Sequence, residues 1–174
     1  MAQKISISNA RICFRNIAGK PTKFNAKGGV RDFAIILDNY DDVQALIDMG
    51  FPIKYFNKKE PTDPDIPYLK VKVNFRFDEA TGKELLSPHI YLIDPNKPNK
   101  RTLITPQTAE IVDQAEIDYC DIVIRPYYCT VSGNNYTVAY LDKMYVNLVF
   151  DEFESKYEMF DDSEVDNAEP IPFE

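Results

Sequence analysis

Residues 68–77 alternate between apolar and polar side chains without interruption. Because side chains point to opposite faces of a strand with a period of two, this segment predicts a β-strand with one apolar and one basic face. The basic face combines cations, an amide and an aromatic ring, which suits a polyanion with flat bases. The plainer alternative is the solvated face of an antiparallel sheet. The apolar positions are Leu69, Val71, Val73, Phe75 and Phe77, and the polar positions are Tyr68, Lys70, Lys72, Asn74 and Arg76.

The composition favours a β-rich chain of a single folded domain. The 174 residues include 11 Tyr, 11 Phe and 12 Pro, which indicates short strands with frequent turns. Met1 to Ala10 carries no apolar stretch of the kind found in secretion signals, and no later run approaches membrane-spanning length. These features predict a cytoplasmic location and no membrane partner.

Charge is segregated along the chain. Residues 1–31 hold seven basic residues and no acidic one, whereas residues 151–174 hold ten acidic residues and one basic, a net charge of −9. Such asymmetry predicts a polyanion partner for the body and an interaction role for the tail. The acidic, Pro-containing end buries too little apolar surface to fold alone. We therefore expect a folded domain over residues 1–150 and a flexible acidic tail over residues 151–174.

Residues with metal or catalytic chemistry are sparse. The three cysteines, Cys13, Cys120 and Cys129, form no CxxC pair, and His89 is the single histidine. A structural zinc site built from Cys and His alone would need all four, so reduced structural thiols are the better interpretation. His89 is expected to be structural or at the surface. These patterns indicate neither a zinc site nor a catalytic role for His89, and we expect a protein that is not an enzyme.

The chain as a whole predicts about seven or more short strands and two short helices. A strand over residues 4–17 is expected to carry Ile12 and Phe14 inward and Arg15 outward, with a bulge at residues 8–10. A basic loop over residues 18–29 leads to a strand over residues 30–37. One helix is predicted to begin after Asn39 and to end before Gly50. A second is predicted to begin after Thr105 and to end near Gln114. Further strands are predicted over residues 51–56, 88–93, 101–104, 118–131 and 136–150. A Greek-key barrel of the OB-fold type accommodates this order.

Several segments together resemble a family of phage single-stranded-DNA-binding proteins. The matching segments are residues 15–19, 29–38, 68–75, 88–93, 122–127 and 139–146, spread over most of residues 11–157. The resemblance implies an OB-fold that binds single strands in phage replication and recombination, no cofactor, and an acidic tail that recruits replication proteins. The chain end also resembles the tip of bacterial single-stranded-DNA-binding proteins at Ile171, Pro172 and Phe173, but Glu174 follows here.

The main hypothesis is sequence-tolerant binding of single-stranded DNA, with cations tracking phosphates and rings stacking on bases. The acidic tail would dock on partners or compete with DNA for the basic face. Two alternatives stay open: a β-rich phage structural or interaction protein without DNA binding, and a metal-dependent nuclease. Oligomerisation is left open as well. The predicted DNA-binding residues are Arg11, Arg15, Lys20, Lys23, Phe24, Lys27, Arg31, Tyr68, Lys70, Lys72, Arg76 and Tyr127; the predicted tail residues are Phe160, Asp161, Asp162, Ile171, Pro172 and Phe173.

Overall fold

The computed structural model describes residues 3–23, 26–77, 80, 85–97, 100–150 and 153, with the backbone alone at residues 77 and 85–87. Phe24 and the predicted tail residues lie outside these ranges. The described elements are, in order, β1 (Ile5–Asn16), β2 (Asp32–Ile36), α1 (Tyr40–Asp48), β3 (Ile53–Tyr55), β4 (Pro67–Lys72), β5 (Arg76–Phe77), β6 (Leu85–Ser87), β7 (His89–Ile93), β8 (Arg101–Ile104), α2 (Glu110–Gln114), β9 (Ile117–Val131) and β10 (Asn134–Leu148).

Five of these strands close into a barrel. β1 pairs antiparallel with β2 and β9, β2 with β4, and β9 with β10, while β4 and β10 close the ring through a parallel pairing. β3 extends the sheet beyond β4, β7 and β8 extend it beyond β10, and β5 and β6 form a separate hairpin. The prediction of a mainly β, OB-fold-like barrel with two short helices is therefore confirmed.

The barrel encloses one apolar core. β4, β9 and β10 contribute alternate side chains to it, as the period of two requires, and each fully buried aliphatic side chain contributes about 1.5–3 kcal/mol. The largest fully buried side chains include Phe33, Ile35, Leu69, Val71, Ile90, Ile104, Val112, Ile122, Ile124, Leu141 and Met144. Cys120 is buried among them, whereas Cys13 and Cys129 are half-buried, and all three are free thiols.

Two bulges in β1 decide where its side chains point. The first, at Asn9 (φ 54°), shifts the register against β9 between Ile7 and Ala10, as predicted. The second, at Phe14 (φ 50°), shifts the register against β2 between Cys13 and Asn16 and was not predicted. The prediction that Phe14 points inward is wrong, because this bulge turns the side chain outward and leaves it 60 % exposed.

The second bulge also reverses Arg15, which was predicted to face outward. The Arg15 guanidinium is partly buried and donates to the carbonyl oxygens of Val112 (2.8 Å) and Ala115 (2.7 Å) at the end of α2. These carbonyls lack partners within the helix, so a cation at this end satisfies them and complements the helix dipole. Arg15 thus fastens α2 to the barrel.

The predicted strand over residues 68–77 is two strands rather than one. β4 ends at Lys72 and β5 begins at Arg76, and the backbone amide of Val73 bonds the carbonyl of Arg31 (2.9 Å) after the regular ladder ends. The alternation of faces nevertheless continues through the break. Leu69, Val71 and Val73 are buried, while the polar positions from Lys70 to Arg76 are exposed. The structure describes only the backbone of Phe77.

Helix α1 is capped as predicted. The Asn39 side chain accepts from the amide of Asp41 (2.9 Å), and Gly50 ends the helix with φ 90°. The end of α1 docks on β10, where the buried hydroxyl of Thr137 donates to the Met49 carbonyl (2.6 Å). A Cβ at Gly50 would lie 2.8 Å from that hydroxyl oxygen, so both the backbone angle and the contact require glycine here.

Helix α2 is shorter than predicted. It begins at Glu110, not after Thr105, because the Thr108 hydroxyl accepts from the Thr105 amide (2.9 Å) and holds the preceding residues in tight turns. The β9–β10 hairpin turn is also shorter than the predicted four residues. It consists of Ser132 and Gly133, both with positive φ, the conformation that two-residue hairpins favour.

Candidate nucleic-acid interface

Three aromatic rings form a cluster on the outer face of the barrel. The Phe14 ring centroid lies 5.4 Å from those of Phe56 and Tyr68, and the latter two lie 4.9 Å apart. Phe14 reaches the cluster only because of the second bulge in β1. We call Phe14, Phe56 and Tyr68 the aromatic trio. An exposed ring supported by two others is a rigid platform on which a planar ligand can stack.

The aromatic trio opens onto a groove of about 610 Å³. Register explains its basic wall: Lys54 of β3 lies opposite Tyr68 of β4, and Lys70 lies two residues further along the same face. Lys70 forms an ion pair with Asp32 (3.2 Å). We call this space the first groove. Its lining consists of Phe14, Arg15, Asn16, Thr22, Val30, Asp32, Phe33, Ala34, Lys54, Tyr68 and Lys70.

The basic row of β4 continues past this groove. Tyr68, Lys70 and Lys72 share one face, and four residues of strand span about 13 Å. Lys72 is exposed and has no ion pair among the described residues. Through the parallel pairing it lies beside Tyr140 of β10. Lys72 therefore joins the first groove to the surface of the β9–β10 hairpin.

A second groove of about 330 Å³ lies at that junction. Its lining combines Tyr127 and Tyr140, whose rings meet edge to face at 6.0 Å, with Arg76 and Arg125. Tyr127 is 58 % exposed. Asn74 and Pro126 complete the lining. Of the predicted DNA-binding residues, Tyr68, Lys70, Lys72, Arg76 and Tyr127 thus lie along the connected outer surface of β4 and the hairpin.

The hairpin projects beyond the barrel and carries further exposed rings. β1 pairs with β9 only as far as Ile124, and the contacts of β10 with β4 and α1 extend to Thr137. Among the described strands, the hairpin beyond Thr137 is paired only by its own ladder. Tyr128 and Tyr136 are both exposed there. A hydrogen bond with the thiol of Cys129 raises the pKa of the Tyr136 phenol.

The basic loop is anchored at its base. The Gly29 amide donates to the Gly19 carbonyl (2.8 Å), and Arg31 donates to the Ile17 carbonyl (2.7 Å). The Asp113 carboxylate of α2 accepts from the amides of Ile17 (2.8 Å) and Ala18 (3.0 Å). These bonds fix where the loop leaves the barrel, beside the first groove. Lys23 and Lys27 are exposed on the loop.

Several predicted DNA-binding cations have partners within the protein. Lys20 pairs with Glu110, and Arg11 pairs with Asp38 (2.7 Å), which raises the pKa of Arg11. Arg31 also lies 5.3 Å from the ring centroid of Phe75. Arg15 and Lys70 have the partners described above. The side chains of Lys23, Lys27, Lys70, Lys72 and Arg76 are exposed.

Sequence reasoning missed several residues of this surface. Phe14 and Phe56 were not identified, since a bulge with positive φ and the convergence of β1, β3 and β4 cannot be read from alternation alone. Lys54, Arg125 and Tyr140 were also missed. Register supplies the signal for Arg125 and Tyr140, which are direct partners across the β9–β10 hairpin.

The described residues offer little support for other chemistry. No group of three or more His, Cys, Asp or Glu side chains in those residues is arranged to hold a metal ion. His89 is half-buried and stacks beside Tyr91, in keeping with a structural or surface role. Within the same residues, no helix has the length and apolar character that crossing a membrane requires.

Comparison with known families places this geometry in context. Residues 1–170 match the family described as "Putative phage ssDNA-binding domain". The chain belongs to this family. The resemblance noted in the sequence is thereby confirmed, as is the expectation of a DNA-binding protein rather than an enzyme. No curated protein sequence matches the chain.

Three solved structures that align with this chain are single-stranded DNA-binding proteins of phages. A C-terminal truncation of the single-stranded DNA-binding protein from bacteriophage Enc34 aligns with a TM-score of 0.50 at 15 % identity, covering 85 % of this chain and 87 % of that one. The same Enc34 protein in complex with ssDNA aligns with a TM-score of 0.49 at 15 % identity, covering 86 % and 89 %. The single-stranded DNA-binding protein gp2.5 of bacteriophage T7 aligns with a TM-score of 0.45 at 12 % identity, covering 99 % and 98 %.

Proposed function

We propose that this protein binds single-stranded DNA without strong sequence preference along the outer face of β4 and the β9–β10 hairpin. Membership of the phage ssDNA-binding family supports single-stranded DNA as the ligand. The proposed location rests on the aromatic trio, in which Phe14 is exposed, beside Lys54 and Lys70. Lys72 connects this groove to Tyr127 and Tyr140.

Lysine and aromatic side chains have different roles in the proposed binding. Lys54, Lys70 and Lys72 neutralise phosphates and release counterions, which makes binding salt-dependent. Phe14 and Tyr68 offer ring surface to bases at one end of the path, and Tyr127 does so at the other. Each stacked base contributes about 1–3 kcal/mol, and every base has a π-face, so this mode tolerates any sequence.

We infer that the setting is phage DNA replication and recombination in the host cytoplasm. A sequence-tolerant binder suits this setting because replication and recombination expose single strands of every sequence. The net charge of −9 in residues 151–174 supports two roles for the tail: docking on basic partner proteins and competing with DNA for the groove.

The first experiment is fluorescence anisotropy with a labelled dT oligonucleotide across a salt series, with duplex DNA as the control. We expect single-strand-selective binding whose log K falls by about 0.7 per neutralised phosphate for each tenfold rise in salt. Absence of binding, or equal affinity for duplex, would contradict the proposal.

Variants of β4 test the location. Lys72→Gln should lower the salt slope by about 0.7, because Lys72 has no carboxylate partner among the described residues. Lys70→Gln should weaken binding more, since it also leaves the carboxylate of Asp32 unpaired in the groove. Lys58→Gln is the matched control, because Lys58 forms an ion pair with Asp65 (2.7 Å) in the segment between β3 and β4, outside both grooves. Equal slopes for all three variants and the wild type would place DNA elsewhere.

A truncation to residues 1–150 tests the role of the tail in competition. If the tail competes with DNA, the truncated chain should bind dT more tightly at low salt, and the difference should shrink as salt screens the tail. Equal affinities across the salt series would exclude competition and leave partner docking as the role of the tail.

A further inference from the structure

Three aromatic rings and a guanidinium stack on the outer face of β7, β8 and β10, away from both grooves. The rings of His89 and Tyr91 are nearly parallel, 6.3 Å apart at 9°, and Tyr145 stacks on Tyr91 at 5.4 Å and 21°. Arg101 of β8 lies 4.5 Å from the Tyr91 ring centroid. We call His89, Tyr91, Arg101 and Tyr145 the Tyr91 stack.

Strand β10 connects the Tyr91 stack to the second groove. β10 pairs with β4 at Tyr140 and then with β7, where Lys143 lies beside His89 and Tyr145 beside Tyr91. Tyr140 and Tyr145 are an odd number of residues apart, so a regular strand would place them on opposite faces. The register shift between Leu141 and Lys143 returns both to the outer face.

The burial pattern agrees with this geometry. Leu141, Met144 and Val146 are buried in the core, which leaves Lys143 and Tyr145 on the outside. The distance from Tyr140 to Tyr145 along the strand is about 16 Å. A strand of DNA that leaves the second groove along β10 would reach the Tyr91 stack directly.

The charge of this surface suits phosphate. Arg101 is exposed and Lys143 half-exposed, and neither has an ion pair among the described residues. Two neighbouring carboxylates have partners among the described residues: Asp142 pairs with Lys4 (3.1 Å), and Asp121 accepts from the Asn9 amide (3.0 Å). The two cations are therefore available to an anionic ligand beside the stacked rings.

We propose that the Tyr91 stack is a second contact for single-stranded DNA, occupied by the part of a long strand that runs on from the grooves. Arg101 and Lys143 would neutralise two phosphates, and the outer rings of the stack would support bases. This proposal rests on the proposed function, and it extends the path of the bound DNA strand across β7 and β8. It predicts that these residues matter for long strands and not for short ones.

The test measures anisotropy with dT oligonucleotides of about 6 and about 20 nucleotides, within and beyond the range that one OB-fold can cover. In the double variant Arg101→Gln, Lys143→Gln, loss of two phosphate contacts should reduce the salt slope by about 1.4 for the long oligonucleotide, or about 25-fold in affinity at 0.1 M salt. Binding of the short one should not change. Arg101→Lys, which keeps the charge, should retain the wild-type slope.

The outcomes separate this proposal from the function on which it rests. Loss confined to the long oligonucleotide supports the second contact. An unchanged affinity for the long one, or equal loss for both lengths, overturns it and leaves the grooves as the binding surface. If the wild-type protein binds neither length, the proposed function fails and this proposal falls with it.

Discussion

Replacement of Phe14 tests whether the second bulge in β1 serves DNA binding. Phe14 is 60 % exposed, adopts φ 50°, and supports its ring on Phe56 and Tyr68. In the proposed complex it stacks on one base, so Phe14→Ala should cost about 1–3 kcal/mol of binding free energy, or about 5- to 150-fold in affinity. Phe14→Tyr keeps the ring and should bind like the wild type.

The same substitution has a separate, smaller effect on stability. About two fifths of the Phe14 side chain is buried, so its removal should lower the free energy of unfolding by about 1 kcal/mol. Phe14→Gly removes the ring but also suits the positive φ, which relieves about 1 kcal/mol of backbone strain. We therefore expect the Gly variant to unfold near the wild-type temperature and the Ala variant below it.

The pair of variants distinguishes stacking from folding. Both should share the DNA-binding defect in dT anisotropy, although they differ in thermal unfolding. Wild-type affinity in a folded Phe14→Ala protein would refute the role of Phe14 in stacking. If the Ala variant binds DNA weakly and the Gly variant binds it normally, affinity would change in parallel with stability. Phe14 would then affect DNA binding only by stabilising the fold.

Three further predictions concern the groups that hold the barrel together. Arg15→Met should lower the free energy of unfolding by about 1.5–3 kcal/mol in urea, because the end of α2 loses its charged donor. Asp113→Asn should cost a similar amount and also weaken DNA binding, since it loosens the start of the basic loop. Burial raises the pKa of Cys120 from 9.0 to about 12, so only the unfolded thiol ionises in this interval. The free energy of unfolding should therefore fall as pH rises through it, and Cys120→Ala, compared in urea unfolding, should remove that part of the decline.

The sequence by itself determined the parts that depend on local pattern. Alternation over residues 68–77 predicted which side chains of β4 face the core, even though the ladder breaks after Lys72. The cap at Asn39, the glycine at residue 50 and the bulge near Asn9 follow from local backbone chemistry and were predicted. Element order and the matching segments also predicted the barrel and its family.

Tertiary structure alone decided which residues meet. The bulge at Phe14 moves one ring out of the expected core and turns Arg15 toward α2, because one extra residue exchanges the faces of a strand. Cations that look alike in the sequence differ in role, since pairing with Glu110 or Asp38 depends on contacts across the fold. Local pattern sets the face on which a side chain lies, and the closure of the barrel sets its neighbours.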